Sequence, residues 1–386
     1  MVKKIQVLLT WALLVSTVSI FIFSCTSGTG PTPAPSPIAP GGVAKPAEIS
    51  EWDKVVQVAK KEGKVVVYST APGEMRTALQ SGFREKFGIE TEVVSFRGGE
   101  MGAKLLNERR AGIYLVDVYM GGSTTPITQL KPAGVLEPLE SSLILPEVTD
   151  PKAWYGEKLS WIDNDKTLLM FLGFPVPNLG YNTNMVKQEE IKSYRDLLDP
   201  RWKGKIVMND PTVPGTAAKG FSVIGFYLMN LDYWREIAKQ QPVILRDQRI
   251  QVEWVAQGKY PVLFFPQSAV ITDFIRAGAP VASFTPAEGT YVTGASGNVA
   301  MVNRPPHPNA SKVFINWVLS REGQTAFSQA FGRQSLRLDV TTEGLDPVAV
   351  RKPGANYFMG SENEEFLLKQ TDQMAIAAEI FATYLK

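Results

Sequence analysis

The chain has 386 residues, and its 40 lysines and arginines nearly balance 38 aspartates and glutamates, leaving a formal charge of +2. This balance provides no polybasic surface for a phosphate backbone, so we expect no nucleic-acid partner. One histidine, His307, and one cysteine, Cys25, exclude a His/Cys zinc site, an iron–sulfur cluster and a disulfide framework. With 44% hydrophobic residues the chain can bury a large core, and its length favours two domains.

Residues 1–25 have the pattern of an export signal. Two lysines precede an apolar run from Ile5 to Phe23. The four residues that end at Cys25, Ile-Phe-Ser-Cys, resemble a bacterial lipobox, in which the cysteine is lipidated and becomes the first mature residue. We therefore predict a lipoprotein signal peptide over 1–25. The alternative is an uncleaved membrane anchor, since about 19 residues can span a bilayer.

Residues 26–47 contain six prolines and four glycines in 22 positions, with a single charge. This composition cannot bury a core and predicts an extended tether. Behind a lipidated cysteine, the tether would hold a folded domain at the outer face of the bacterial cytoplasmic membrane or in the periplasm.

The folded part begins near residue 48 with alternating strands and helices. The β-branched run 64–69 predicts a strand, and the apolar spacing that follows it predicts a helix. The same order recurs over 90–110 and 115–130. This alternation predicts a mainly parallel sheet covered by helices, with ligands bound beyond the carboxyl ends of the strands. The turns that would share this edge are 69–73, 96–99 and 120–124.

A second group of strand-like segments predicts a second α/β lobe. These segments are 168–174, 205–208 and 262–265. Near the end of the chain, Ser361 and Glu364 have the spacing of a capping box at the start of a helix. Earlier, the Asp-Asn-Asp triplet 163–165 lacks the spaced oxygens of a calcium loop, which favours a solvated turn.

Motifs for catalysis are missing from the sequence. The segment 294–298 resembles a nucleophile elbow but lacks the second glycine spacing, and its only possible base is His307. Because Pro308 follows that histidine, His307 is better explained as a residue at a helix start. None of the Gly-Lys pairs continues with serine or threonine as a nucleotide-binding loop requires. We predict a protein that is not an enzyme and needs no cofactor.

Several short motifs resemble, in their order, the solute-binding proteins of ABC importers, within the family that includes ferric-ion-binding proteins. They are Val66–Ser69, Asp117–Val118, Ala133–Pro138, Gly180–Thr183, Asp196–Ile206, His307–Pro308 and Leu319–Gln324. The resemblance implies the α/β fold of type 2 periplasmic binding proteins: two lobes of mixed sheets covered by helices, joined by a strand hinge. It also implies a permease and an ATPase as partners, and we expect a monomer.

We predict the lobe boundaries from these patterns. Lobe 1 comprises 48–122 and 278–325. Lobe 2 comprises 123–277 and 326–386.

The ferric subclass of this family binds iron through phenolate, imidazole and carboxylate groups, because a hard cation selects anionic oxygen. An ungapped comparison places Ser268 and Ala269 where the family has adjacent tyrosines. The histidine position falls on Pro72, and only Glu100 matches an acidic ligand. We therefore predict no metal site, with Glu100 as a ligand if iron is bound.

The anion-binding part of the family pattern is better matched. The segment 210–217 leads into a helix whose free amides and positive dipole end attract a carboxylate or phosphate. We predict that Arg97 is the cation of the cleft, and the alternative is a salt bridge to Glu100. For the predicted serine and threonine ligands, the alternative is a structural role in turns. The predicted ligand-binding residues are Ser69, Thr70, Arg97, Gly98, Ser123, Thr124, Gly215, Thr216, Ala217, Gln267 and Ser268.

These observations predict a lipid-anchored solute-binding protein that captures a small organic anion, a carboxylate or phosphonate, by lobe closure. The first alternative is a carrier of ferric iron or a ferric chelate. The second is an exported enzyme or a ligand sensor built on the same scaffold.

Overall fold

The computed structural model describes residues 49–71, 73–96 and 98–385. The predicted signal peptide, Cys25 and the tether lie outside the described residues. No helix in the described ranges has both the length and the hydropathy needed to cross a membrane.

The described residues form alternating helices and strands. The helices are α1 Glu51–Glu62, α2 Gly73–Phe87, α3 Gly98–Arg110, α4 Pro146–Thr149, α5 Thr216–Val223, α6 Leu231–Lys239, α7 Gln248–Ala256, α8 Ser268–Arg276, α9 Pro308–Leu319, α10 Arg321–Phe331 and α11 Glu364–Ile380. The strands are β1 Lys64–Ser69, β2 Glu90–Ser95, β3 Val118–Gly121, β4 Leu136–Glu137, β5 Ser160–Trp161, β6 Leu169–Met170, β7 Phe174–Pro175, β8 Leu179–Asn182, β9 Ile206–Asn209, β10 Val243–Leu245, β11 Val262–Phe264, β12 Val281–Phe284, β13 Thr290–Thr293, β14 Asn298–Val302 and β15 Tyr357–Phe358.

The first sheet is mixed, with the strand order β2-β1-β3-β14-β6-β5 and β4 paired to β14. Strand β1 is almost entirely buried and runs parallel to β2 and β3, as expected for a strand covered on both faces. Ser69 is in register with Ser95 and Met120. The described turn residues after these three strands therefore lie at one edge of the sheet, as predicted.

The second sheet has the order β10-β9-β11-β8-β12 and packs around a separate aromatic core. Phe221 of α5 stacks on Trp234 of α6, with ring centroids 5.2 Å apart. The first sheet has its own core, in which Met75, Leu79 and Phe83 of α2 are buried at helical spacing. Because each of these two sheets packs with core residues of its own, the described residues have the predicted two-lobe architecture.

A short third sheet connects the lobes. It has the order β15-β13-β7, and β13 pairs antiparallel with β7 and parallel with β15. Because β7 leads into the second sheet and β13 leads back to the first, these two strands form the predicted strand hinge. Helix α11 contributes to both cores, through Phe366 in the first and Ala377 in the second.

The sheets divide the chain differently from the predicted lobe boundaries. Strands β4, β5 and β6 pair in the first sheet, although they follow the predicted boundary at 123, and β12 pairs in the second sheet. The predicted strand 168–174 contains all of β6 and the first residue of β7, and these two strands belong to different sheets. Strands of two residues leave too little periodicity in the sequence to indicate which sheet they join.

Of three local predictions, one was wrong, one was partly right and one was confirmed. Asn363, rather than Ser361, caps α11 by accepting from the Phe366 amide, while the Ser361 hydroxyl donates to the Val292 carbonyl. Residues 164 and 165 are exposed and lie in a turn, as predicted, but Asp163 is buried and accepts from two backbone amides. His307 does precede α9 as its N-terminal flanking residue, as predicted.

Candidate functional site

Two predicted ligand residues lie at the end of β1 and directly after it. Ser69 is fully buried, and its hydroxyl accepts from the Ala71 amide at 3.0 Å. Thr70 is half-buried, with its hydroxyl 2.9 Å from that of Ser296 in the turn between β13 and β14. The Ser69 hydroxyl therefore stabilises the turn, whereas Thr70 marks a contact between the first lobe and the hinge.

The two predicted ligand residues after β3 also have hydrogen-bond partners within the protein. Ser123 is buried and donates to the carboxylate of Glu362. Thr124 is half-buried, and its carbonyl accepts from the Thr128 hydroxyl. The hydroxyl of Ser123 is thus already bound to a carboxylate of the protein itself.

The turn after β2 holds the candidate iron ligand. Arg97 lies outside the described residues, Gly98 begins α3, and Glu100 is exposed in the first turn of that helix. Within the described ranges, no three His, Cys, Asp or Glu side chains come together to hold a metal ion.

On the second lobe, α5 begins with an uncapped turn. Gly215 precedes the helix with φ 150° and ψ −163°, a conformation that essentially only glycine adopts, and no side chain caps the helix. Thr216 is half-buried and Ala217 is buried. The first amides of α5 lack intrahelical acceptors, and the helix dipole places roughly half a positive charge there.

The loop before this helix is fixed by Asp210. Its Oδ1 accepts from the Thr212 amide at 2.9 Å and hydroxyl at 2.6 Å, and its Oδ2 accepts from Arg246 at 2.9 Å. Burial opposes ionisation of this carboxyl, but the hydrogen bonds from Thr212 and Arg246 lower its pKa below the ordinary value. A charged Asp210 therefore holds the loop that presents Gly215.

A pocket of about 290 Å³ opens at the start of α5. It brings together four predicted ligand residues, Gly215, Thr216, Gln267 and Ser268. Gln267 also caps α8 by accepting from the Val270 amide at 2.8 Å, which leaves its side-chain NH₂ as a donor. The remaining lining residues are Phe174, Val176, Lys219, Ala269, Tyr291, Thr293, Ala295, Phe331 and Arg333.

Arg333 supplies a guanidinium to this pocket that sequence reasoning missed. It follows Gly332, the left-handed residue that ends α10, and lies 5.2 Å from the Phe174 ring centroid and 5.8 Å from that of Phe331. One NH group donates to the Gly332 carbonyl at 2.9 Å. Among the described residues, no carboxylate forms an ion pair with Arg333. Its planar fork therefore retains donors for an anion.

Burial lowers the pKa of the Arg333 guanidinium, as expected for a charge removed from water without a paired carboxylate. Asp346 and Arg276 act on it in opposite directions. Because an arginine stays protonated in proteins, the group remains a cation whose solvation is incomplete. An anion in the pocket would restore that solvation.

A second cation of the pocket is already paired. Lys219, one turn into α5, donates to Glu362 Oε1 at 2.5 Å, and Thr293 of β13 donates to the same oxygen at 2.5 Å. Nearby, the Tyr291 hydroxyl donates to the Thr216 carbonyl at 3.3 Å. Burial, and then the charge of Glu362, raise the pKa of Tyr291, so it does not offer a ready phenolate for iron.

Residues 78–353, more than half of the chain, match the family model described as bacterial extracellular solute-binding protein. The chain belongs to this family. As an extracellular solute-binding protein of the ABC-importer type, it is exported, binds a ligand and works with a permease. The match ends before β15, so the segment that carries Glu362 lies beyond it.

Comparison with known proteins places this solute-binding protein among similar chains. An uncharacterized protein of Haemophilus influenzae is 26% identical over 283 residues, covering 69% of this chain and 75% of that protein. The structure of FutA (IdiA) from Trichodesmium in complex with iron and citrate has a TM-score of 0.61 at 19% identity, covering 82% of this chain and 99% of that one.

A third similar chain is the periplasmic binding protein AfuA of Actinobacillus pleuropneumoniae, solved with fructose-6-phosphate. Its TM-score is 0.57 at 21% identity, covering 82% of this chain and 99% of that one. At these identities the likeness to solved structures establishes the fold alone. The fold is the type 2 periplasmic-binding-protein fold that the sequence predicts.

Proposed function

We propose that this solute-binding protein captures a small organic anion, a carboxylate or phosphonate, in the pocket at the start of α5. The observation that carries this proposal is the pairing of an uncapped helix N-terminus with the Arg333 guanidinium, which has no carboxylate partner among the described residues. Backbone amides and a planar guanidinium both bind carboxylate and phosphonate oxygens.

Capture proceeds by lobe closure about β7 and β13. The second lobe and the hinge hold the anion, and the first-lobe edge closes over it, bringing Thr70, Gly98 and Thr124. The ligand stabilises the closed state because both lobes contact it only there. The permease then recognises the closed shape.

A thermal-shift titration tests this proposal. Soluble protein covering 26–386, stripped of carried-over ligand, is titrated with carboxylates, phosphonates, ferric ion and ferric citrate. We expect metal-free anions to raise the melting temperature, since a ligand at 100 times its Kd adds about 2.7 kcal/mol to stability. A rise that requires iron in every case would contradict the proposal.

A ferric chelate is the second candidate ligand. The FutA structure contains iron and citrate, and a citrate carboxylate has the chemistry that the α5 pocket accepts. In this alternative the chelator replaces the missing tyrosines and Glu100 is the remaining protein ligand. It predicts binding of ferric citrate and no binding of citrate alone, which the same titration measures.

We also propose that Cys25 is lipidated and that 26–47 tethers the folded part to the outer face of the membrane. The lipobox-like residues and the composition of the tether support this assignment. Replacing Cys25 with alanine should move the protein from the membrane fraction to the soluble exported fraction. Unchanged membrane association would favour the uncleaved anchor instead. We expect the exported protein to be a monomer.

A further inference from the structure

Glu362 is the buried acid next to the ligand pocket, and its environment is unusual for a carboxylate. The residue is 1% exposed, yet it lies between the two lobes and the hinge. One oxygen accepts from Lys219 of the second lobe and Thr293 of the hinge, each at 2.5 Å. The other accepts from Ser123 of the first lobe. Three donors from three parts of the fold therefore converge on this one carboxylate.

The segment that carries Glu362 is fixed to the hinge. Strand β15 pairs with β13, in the register Thr290 to Tyr357 and Tyr291 to Phe358. The next turn, Gly360–Glu362, is fastened by the hydrogen bond of 2.7 Å from the Ser361 hydroxyl to the Val292 carbonyl. The position of the Glu362 carboxylate is therefore set by backbone pairing and not only by its ion pair.

Glu362 lowers the net positive charge that the pocket presents to a ligand. Its lining includes two cations, Lys219 and Arg333, and no acidic residue. Glu362 cancels the charge of Lys219, whose side chain is only 15% exposed. Outside the lining, Asp346 and Arg276 act on Arg333 with opposite signs. From the described residues, the net charge facing a ligand is that of one guanidinium, together with the α5 dipole.

We propose that Glu362 determines the charge class of the ligand by neutralising Lys219, so that the cleft selects monoanions over dianions. This inference rests on the proposed anion-binding function. A monoanion that binds Arg333 and the α5 amides neutralises the charge of the guanidinium, so no unpaired charge remains in the pocket. A dianion of the same size brings a second negative charge into a buried site whose second cation is already occupied.

Matched probes measure this selectivity. Succinate and its monoamide succinamate have nearly the same shape and differ by one charge. Methyl phosphate, whose second pKa is about 6, is a dianion at pH 8, whereas dimethyl phosphate is a monoanion. The affinities of all four probes are measured by calorimetry at pH 8 for wild type, Glu362→Gln, and the double variant Lys219→Met with Glu362→Gln.

We expect wild type to bind the monoanion of each pair at least tenfold more tightly than the dianion. Glu362→Gln frees the charge of Lys219 and should shift that ratio at least tenfold toward the dianion. The double variant restores the net charge of the wild-type pocket and should return the ratio to within about threefold of wild type, since the ratio follows net charge.

The possible failures can be told apart. A wild-type preference for dianions, or a ratio that Glu362→Gln leaves unchanged, overturns the role of Glu362 while the anion site stands. Absence of binding of all four probes to every variant overturns the anion site itself. If Glu362→Gln does not fold, Lys219→Gln is tested in its place. This variant leaves the negative charge of Glu362 uncompensated, so it should bind succinamate at least tenfold more weakly than the double variant does. Equal affinities would overturn the inference.

Discussion

The two lobes offer polar groups to the cleft in different states. On the first lobe, the hydroxyls of Ser69 and Ser123 are buried and bound to partners within the protein. On the second lobe, the start of α5 has no side-chain cap. Arg333, which lines the same pocket from the end of α10 on the first core, has no carboxylate partner among the described residues. A polar residue at a strand end is therefore a ligand group only if the fold leaves its hydrogen-bonding capacity unused.

The largest effect on anion affinity is expected from a change at Arg333. Replacing it with glutamine removes a charge-assisted contact worth about 1.5–3 kcal/mol, so affinity for a carboxylate should fall at least tenfold. Calorimetry on the tightest-binding anion of the panel measures this. The exposed Arg84 of α2, changed to glutamine, is the matched control and should leave affinity unchanged. Equal affinities for both variants would contradict the role of Arg333.

A second prediction compares glycines at the two edges. Gly215→Ala should weaken anion binding up to about tenfold, because alanine at φ 150° costs about 1–3 kcal/mol and shifts the α5 amides. A Cβ there would meet no neighbouring atom, so the effect is conformational. Gly122→Ala on the first lobe also meets open space, without a positive φ, and should have little effect. Similar losses at both positions would remove the distinction between the edges.

A third prediction separates structural from ligand-binding hydroxyls. Ser69→Ala leaves the Ala71 amide without its acceptor and should lower the free energy of unfolding by about 1–3 kcal/mol, with affinity unchanged. Ser268→Ala, in the pocket lining, should weaken binding about twofold to tenfold with little change in stability. Urea unfolding and calorimetry on both variants measure these effects. A weaker affinity in Ser69→Ala alone would reverse the assignment.

The smallest effect concerns pH. Burial acts to raise the pKa of Asp210, but hydrogen bonds from Thr212 and Arg246 outweigh it, so the folded-state pKa lies below the ordinary value. Its stabilisation is therefore present above the ordinary pKa of about 4 and is lost as pH falls through the folded value. Melting temperatures are measured from pH 6 to pH 3 in steps of about one unit. Over this range the melting temperature of Asp210→Asn should fall by less than that of wild type. The exposed Asp232→Asn serves as control and should follow wild type.

The sequence predicted the fold well because its signals are local and repeated. The buried run of β1, the helical spacing of Met75 and Leu79, and the turn at Gly215 each depend on nearby residues. The boundaries between lobes could not be predicted, because β5 and β6 have two residues each and their sheet membership depends on pairing with distant β14.

The candidate site was only partly predictable for the same reason. Gly215, Thr216, Gln267 and Ser268 follow strands of one sheet, and the structure places them around one pocket. Arg333 and Glu362 reach the same region from the hinge side, through chain segments far away in sequence. For Arg333, the available signal was a guanidinium directly after the helix-ending Gly332. For Glu362, nothing local indicated burial beside Lys219.

The most direct measurement is the crystal structure of the protein grown with succinamate, or with whichever of the four anion probes binds most tightly. The account predicts an anion whose oxygens lie within hydrogen-bonding distance, about 2.7–3.2 Å, of the first α5 amides and of the Arg333 guanidinium. An anion bound at the first-lobe edge, with Arg333 and the start of α5 left empty, would contradict it.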